Sequence, residues 1–167
     1  MARILIVDDH AIVRRMLKAL IETHEGWEVC GEAENGLEAI QKVAEYKPDL
    51  VIMDMAMPLK DGISASRDIT SKMPSVPIVM HTLHYAPELE LEAKKAGVRA
   101  VVPKAESGDE LLKTIEGVLN EELKKPLGTE ARAAAACGSN LPTTPGRQGD
   151  EGPSASDAPP PDVPKPD

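Results

Sequence analysis

Apolar residues along this chain alternate between short continuous runs and helically spaced positions. Uninterrupted runs are typical of strands buried on both faces, and four occur here: Ile4–Val7, Leu50–Met53, Ile78–Met80 and Ala100–Val102. A fifth strand is predicted over Trp27–Ala33, where alternation places Trp27, Val29 and Gly31 on one face. Glu28, Cys30 and Glu32 then lie on the other face, as in a strand at a sheet edge. The pattern therefore predicts five strands.

Helical spacing separates these strands. The first helix is predicted from His10 to about Glu25, on six apolar positions: Ile12, Val13, Met16, Leu17, Leu20 and Ile21. The apolar positions Leu37, Ile40, Val43 and Ala44 mark a second helix, and a third is predicted from Ile63 to Met73. The fourth, from Pro87 to Gly97, has a weak apolar pattern, and the fifth begins after Ser107.

Five strand–helix alternations predict parallel strands joined by right-handed crossovers, with helices on both faces. About 125 residues in five such units fit the flavodoxin-like (βα)5 fold, a doubly wound parallel α/β sheet with strand order 2-1-3-4-5. This order makes strands one and three neighbours and puts Trp27–Ala33 at an edge.

Composition changes after residue 125. Residues 126–167 contain nine prolines and five glycines among 42 residues, and they show no apolar periodicity. We predict a folded domain over residues 1–125 and a disordered Pro/Gly/Ala-rich tail over 126–167.

Charge and composition limit the possible functions. A net charge of −9 argues against direct nucleic-acid binding through a basic surface. No apolar run approaches the roughly 20 residues that span a bilayer, and no signal peptide is evident, so a soluble cytoplasmic protein is expected. The two cysteines fit neither a metal nor a disulfide spacing, which agrees with a reducing compartment.

Carboxylates follow two strands that the predicted order makes adjacent. Asp8 and Asp9 end the first strand and Asp54 ends the third, so all three lie at the carboxyl edge where such sheets bind ligands. Taken singly, these residues are also explained as helix or turn caps. Together their repulsion is unfavourable unless a cation is present, and a hard oxygen site of this kind suits Mg2+.

Two further polar side chains end neighbouring strands. Thr82 follows strand four and Lys104 follows strand five, although each alone is an ordinary turn or surface residue. A carboxylate nucleophile, a cation site, a hydroxyl and an ammonium together are the groups that phosphoryl transfer requires. Asp54 is the predicted nucleophile.

The sequence resembles the receiver domain of bacterial two-component response regulators. The resemblance rests on Ile6-Val7-Asp8-Asp9, on the segment Met53–Gly62, and on Thr82 and Lys104. It implies that Asp54 accepts a phosphoryl group from a sensor histidine kinase or phosphotransfer protein. It also implies a Mg2+ site made of Asp9, Asp54, Asp8 acting largely through water, and the Ala56 carbonyl, with Thr82 and Lys104 on the phosphoryl oxygens.

Segments 9–17 and 103–107 are most similar to the LuxR-type subfamily, whose members usually add a DNA-binding domain. None is recognisable here, so a stand-alone receiver that signals by protein contact is expected. Its partner, or a second copy, would bind the face of helix four, strand five and helix five. The position of the family's aromatic switch residue is Val101, which puts the usual coupling with Thr82 in question.

Other functions remain open at this point. A Mg2+-dependent phosphatase of the haloacid dehalogenase type also uses an Asp nucleophile, but its Asp-x-Asp spacing is absent from Asp8-Asp9-His10. A transcription regulator would need a DNA-binding element, and a receiver fold that has lost phosphorylation would lack part of the residue set. We expect no enzymatic activity beyond the protein's own phosphorylation and dephosphorylation at Asp54.

Overall fold

A computed structural model describes residues 1–124. Five strands alternate with five helices in this part of the chain. The strands are β1 Ala2–Val7, β2 Trp27–Ala33, β3 Leu50–Met53, β4 Ile78–Thr82 and β5 Ala100–Pro103. The helices are α1 Ala11–Ile21, α2 Gly36–Tyr46, α3 Gly62–Lys72, α4 Pro87–Lys95 and α5 Gly108–Lys124. The predicted disordered tail, 126–167, lies outside the described residues.

All strand pairs are parallel, and the sheet has the order β2-β1-β3-β4-β5. This confirms the predicted flavodoxin-like fold and the edge position of β2. Val7 pairs with Met53 at the ends of β1 and β3, so the residues that follow these two strands emerge at the same level.

Each face of the sheet covers an aliphatic core. One core contains Leu5, Val51 and Met80 together with residues of α2, α3 and α4. The other contains Ile6, Ile52 and Val79 together with residues of α1 and α5. Burial of each such side chain contributes roughly 1.5–3 kcal/mol, so the aliphatic strands supply the core that a chain without Phe requires.

The buried face of α1 differs from the predicted one. Ile12 and Met16 are 73% and 67% exposed, whereas Arg14 is buried beside Leu17 and Ile21. The helix also ends at Ile21, earlier than expected. The residues that follow form turns whose hydrogen bonds span three residues instead of four, such as that from the His24 N–H to the Ile21 carbonyl. An arginine therefore occupies a core-facing position of this helix.

A bulge interrupts the alternation of β2. Ile4 pairs with Val29 and Leu5 with Gly31, so Cys30 is skipped. Gly31 consequently approaches Leu5 and the Tyr46 ring on the α2 side, whereas strict alternation placed it on the face of Val29. The prediction for Gly31 was wrong because one extra residue reverses the facing of the residues after it.

The weak pattern of the fourth helix is matched by weak anchoring of α4. Ala93 is its only buried residue, and Leu91 is 56% exposed. In the part of the chain that the structure describes, no helix is both long and apolar enough to cross a membrane.

Candidate functional site

Asp8 and Asp54 occupy adjacent positions beyond the paired ends of β1 and β3. The Asp54 N–H donates to the Val7 carbonyl at 2.8 Å, and the Asp8 N–H donates to the Ala33 carbonyl at 3.1 Å. These main-chain bonds extend the sheet by one residue on each strand. Both carboxylates are buried, with residue exposures of 1% for Asp8 and 5% for Asp54.

Lys104 joins these two carboxylates. Its Nζ lies 2.6 Å from Asp8 Oδ2 and 3.1 Å from Asp54 Oδ1. Its main-chain N–H donates to the Thr82 carbonyl at 2.7 Å, which fixes the end of β5 beside the end of β4. The ammonium thus reaches across from β5 to the acids that follow β1 and β3.

Thr82 is buried at the end of β4. Its hydroxyl oxygen accepts a hydrogen bond from the His84 N–H at 3.2 Å, within the loop that leads to α4. The hydroxyl is therefore linked to the β4–α4 loop, while the main chain of the same residue is linked to Lys104.

Burial and ion pairing act against each other in this site. Burial raises the pKa of Asp54 above its ordinary range; the hydrogen bond and charge of Lys104 oppose that rise, and Asp8 adds to it. Burial alone would lower the pKa of Lys104, but its hydrogen bonds to Asp8 and Asp54 outweigh burial and raise it. The lysine consequently stays charged next to the acids.

A second group forms around Asp9. Candidate ligand atoms of Asp8, Asp9 and His10 all lie within 4.8 Å of one another, and Asp54 is not part of this group. His10 Nδ1 lies 2.7 Å from Asp9 Oδ1, and the His10 N–H donates to Asp8 Oδ1 at 2.9 Å. The predicted residues are thus placed around two centres, the Lys104 ammonium and the Asp8–Asp9–His10 group, which share Asp8.

The donor set fits a hard divalent cation. Oxygen donors dominate it, and buried carboxylates already hold one cation, the Lys104 ammonium, at 2.6 Å and 3.1 Å. Ala56, whose carbonyl was predicted as a further oxygen ligand, is exposed in the loop two residues after Asp54.

The loop after Asp54 folds tightly back on the strand end. The Gly62 N–H donates to the Met55 carbonyl at 2.9 Å, and Asp61 caps α3 by accepting from the Ser64 N–H at 2.8 Å. A Cβ atom at position 62 would lie 2.0 Å from the Asp54 carbonyl oxygen, so a side chain there has no room.

Three residues near the site had no predicted structural role. His10 contacts the acid pair directly, Arg14 binds the Asp8 carbonyl, and His81 on β4 is half-buried with its Nδ1 atom buried and without a hydrogen-bond partner. The spacing of Arg14 with Leu17 and Ile21 on α1 was an available signal, but it was obscured by the more abundant apolar residues of that helix.

A cleft of about 660 Å³ lies elsewhere, at the amino ends of the strands. Trp27, Asp49, Val76 and Leu119 are among its lining residues, and none of the predicted site residues lines it. The candidate site is therefore separate from this cleft, and it is identified by the convergence of the charged side chains of Asp8, Asp54 and Lys104.

Residues 4–116 match the family described as the response regulator receiver domain. This chain belongs to that family. The match confirms the resemblance suggested by the strand-end residues, and it extends from within β1 into α5.

Relatives of this receiver domain include both single-domain and longer proteins. It is 39% identical over 118 residues to the chemotaxis protein CheY of Bacillus subtilis (strain 168), which covers 71% of this chain and 98% of CheY. It is 40% identical over 112 residues to the uncharacterized transcriptional regulatory protein YhcZ of the same organism, covering 67% of this chain and 52% of YhcZ. The chain spans about half the length of the transcriptional regulatory proteins it matches.

A solved structure gives the same picture. The receiver domain is similar to a crystal structure of a two-component response regulator of the LuxR family from Aurantimonas sp. SI85-9A1. The TM-score is 0.71 at 37% identity, covering 72% of this chain and 86% of that chain. Both chemotaxis proteins and LuxR-family regulators are therefore among the similar proteins.

Proposed function

We propose that this receiver domain accepts a phosphoryl group on Asp54 from the phosphohistidine of a sensor histidine kinase or phosphotransfer protein. The observation that carries the proposal is the buried Asp54 carboxylate held 3.1 Å from the Lys104 ammonium at the carboxyl edge of the sheet. A carboxylate oxygen attacks phosphorus, the P–N bond breaks, and the departing imidazole takes up a proton. A donor of this kind also implies a cytoplasmic location.

In this proposal Asp9, Asp54, the Ala56 carbonyl and Asp8, the last largely through water, hold Mg2+. The ion would neutralise charge on the phosphoryl oxygens. Lys104 lies between Asp8 and Asp54, so its ammonium can meet another phosphoryl oxygen once Asp54 is modified. The Thr82 hydroxyl turns to a further oxygen, exchanging its bond with the His84 N–H.

Intact mass measurement tests the acceptor. Incubation with Mg2+ and a small phosphodonor such as acetyl phosphate should add one phosphoryl group to the wild type and none to Asp54→Asn. Asp109→Asn, which changes an exposed acid on the first turn of α5, serves as the matched control and should be phosphorylated normally. A phosphoryl group on Asp54→Asn would refute the assignment.

We further propose that the output is protein contact through the surface formed by α4, β5 and α5, as homodimerisation or partner docking. The support is local: α4 has a single buried residue, Ala93, and Leu91 on it is 56% exposed. Membership of the LuxR-type subfamily is part of this proposal, supported by segments 9–17 and 103–107 and by the LuxR-family neighbour. Sedimentation velocity with and without beryllofluoride tests the dimer.

Two alternatives have distinct signatures. A Mg2+-dependent phosphatase would turn over a phosphate ester such as p-nitrophenyl phosphate; we expect no such turnover. A role in transcription regulation is suggested by the names of two relatives, both transcriptional regulatory proteins, of which this chain matches about half the length. That role would appear as phosphorylation-dependent DNA binding in a gel-shift assay, which we do not expect from the acidic chain tested alone.

A further inference from the structure

Arg14 is a buried basic residue, with 7% exposure. It lies on the core-facing side of α1 with Leu17 and Ile21, where an apolar side chain would satisfy the packing. Burying a guanidinium is unfavourable unless its donors are satisfied, so the position of Arg14 calls for a reason other than packing.

Each of the three nitrogen atoms of the Arg14 guanidinium donates a hydrogen bond. Nη1 donates to the Asp8 main-chain carbonyl at 2.8 Å. Nε donates to a carboxylate oxygen of Glu32 at 3.1 Å, and Nη2 donates to a carboxylate oxygen of Glu34 at 2.8 Å. One side chain of α1 thus ties the segment after β1 to the end of β2 and the residue that follows it.

The bond to the Asp8 carbonyl has a consequence for Asp9. This carbonyl belongs to the peptide group that joins Asp8 to Asp9, so holding it orients that peptide plane and restricts the directions in which the Asp9 side chain can leave the backbone. The side chain of Asp8 is held separately, by the His10 N–H and the Lys104 ammonium. Within residues 1–124, the hydrogen-bond and ion-pair partner of the Asp9 carboxylate is His10, whose side chain is 69% exposed.

The two carboxylate contacts of Arg14 do not by themselves explain the residue. The side chains of Glu32 and Glu34 are 38% and 66% exposed, and exposed ion pairs add little stability. Their effect is geometric, because they hold the planar guanidinium in the orientation that directs Nη1 at the Asp8 carbonyl. Lysine in the same place could supply the charge but not the rigid fork.

We propose that Arg14 is a positioning residue of the Mg2+ site, acting through the Asp8 carbonyl to place the Asp9 carboxylate. The inference rests on the proposed function insofar as Asp9 is taken to hold the metal. Removing a group that does not touch the metal but orients a metal-binding residue typically lowers metal affinity by about 10- to 100-fold. Arg14 should therefore act on metal affinity and leave the chemistry at Asp54 intact once metal is bound.

Calorimetric titration of the unphosphorylated full chain with Mg2+ tests this without any phosphodonor. Arg14→Met keeps the apolar stem and removes the donors, and Arg14→Lys keeps the charge without the fork. Arg15→Met, which changes the exposed neighbouring arginine, is the matched control. We expect Kd for Mg2+ to rise about tenfold in both Arg14 variants and to stay at the wild-type value in Arg15→Met.

The rate of phosphorylation measured against Mg2+ concentration separates an effect on Mg2+ affinity from an effect on the limiting rate. With acetyl phosphate as donor, the Mg2+ concentration at half-maximal rate should rise by the same factor as Kd, and the rate at saturating Mg2+ should be recovered. Unchanged Mg2+ affinity with a lowered melting temperature would show that Arg14 serves stability alone. A lost limiting rate with unchanged half-saturation would equally overturn the proposal.

Arg14→Lys decides the matter if Arg14→Met does not fold: wild-type affinity in Arg14→Lys would overturn the inference. The proposed function fails differently. If Mg2+ binds and Arg14 variants weaken it, but Asp54 gains no phosphoryl group, Arg14 is upheld as a metal-site residue and the phosphoacceptor assignment falls. Absence of Mg2+ binding in the wild type would overturn the Arg14 proposal directly.

Discussion

The ammonium of Lys104 lies 3.1 Å from the carboxylate of Asp54, although the two residues are 50 positions apart in sequence and follow different strands. Burial raises the pKa of the Asp54 carboxyl, and this ammonium is the main group that opposes the rise. The proposed nucleophile therefore owes much of its charged state to a residue supplied by β5.

Replacing Lys104 with methionine should lower the melting temperature without metal by at least about 5 °C, because removing one partner of a buried ion pair leaves its acids uncompensated. Mg2+ should then restore more stability to Lys104→Met than it adds to the wild type, since the ion replaces the lost positive charge. Differential scanning fluorimetry over a Mg2+ series measures both effects. Lys113→Met, on the exposed side of α5, is the control; an equal Mg2+ response in wild type and Lys104→Met would contradict this view.

Asp9 should control the response to metal. Asp9→Ala is expected to lose the Mg2+-induced rise in melting temperature, because only the folded site binds the ion. Without metal the same variant should melt slightly higher than wild type, since one repulsive charge beside Asp8 is gone. Glu121→Ala, an exposed change on α5, should keep the full Mg2+ response. Identical shifts in Asp9→Ala and wild type would remove Asp9 from the metal site.

The placement of the strand-end residues was predictable because parallel topology alone determines which strand ends meet. Once β1 and β3 were placed as neighbours, Asp8 and Asp54 had to lie together, and Lys104 followed from the order of β4 and β5. Arg14 could not be placed in the same way. Its role depends on three hydrogen bonds to residues that apolar periodicity does not locate.

The facing of Gly31 and the outward position of Met16 show a related limit. Periodicity assumes that each strand is regular and that every apolar residue of a helix is buried. The bulge at Cys30 breaks the first assumption, and α1 breaks the second by burying an arginine while leaving Met16 67% exposed. Both outcomes depend on neighbouring elements and not on the local sequence.

Signal transmission should pass through the β4–α4 loop. A small cleft beneath this loop is lined by Thr82, Tyr85 and Val101, and the Tyr85 hydroxyl donates to the Glu90 carboxylate on α4. Beryllofluoride should change amide hydrogen exchange from Thr82 to Gly97, because a helix with one buried residue is expected to have low local stability.

Thr82→Ala should still accept the phosphoryl group but lose most of this change in exchange. Thr114→Ala, which alters a threonine of α5 bonded to the Glu110 carbonyl, should respond as wild type. Protection that changes only around Asp8 and Asp54, and not between residues 82 and 97, would exclude this route.

His81 should make the domain less stable in mild acid. Burial lowers its pKa from 6.5 to about 4, with the Lys104 charge adding to the effect and Asp8 opposing it. Between pH 6.5 and 4 the unfolded histidine binds a proton that the folded one does not, so stability falls as the pH decreases. The uptake of one proton limits this slope of stability against pH to about 1.4 kcal/mol per pH unit. The slope should stay below that limit, because the His81 ring is only half-buried and solvent screens its charge.

Urea unfolding of wild type and His81→Val from pH 7 to 5 measures this slope, which should be shallower in the variant. Asp54 works in the opposite direction, because a raised carboxyl pKa adds stability as the pH falls. Both proteins therefore also carry Asp54→Asn, so that only residue 81 differs between them. Equal slopes of stability against pH would show that His81 is not the titrating group.

Residues 126–167 should contribute little to the stability of the receiver domain, because their sequence offers too few apolar positions to offset chain entropy. A chain ending at Lys125 is expected to melt at nearly the same temperature as the full chain. A decrease of several degrees in differential scanning calorimetry would show that these residues pack against the domain and would refute the proposed boundary.

Gly62 carries no functional group, yet its hydrogen atom stands where a Cβ would come within 2.0 Å of the Asp54 carbonyl oxygen. Any replacement there requires the main chain at Gly62 or Asp54 to shift, next to the proposed phosphorylation site. In a saturation mutagenesis screen scored by signalling, position 62 should therefore be as intolerant as position 54, and even alanine should be rejected. Such a result would place a glycine, which has no functional side chain, among the residues of this domain that least tolerate substitution.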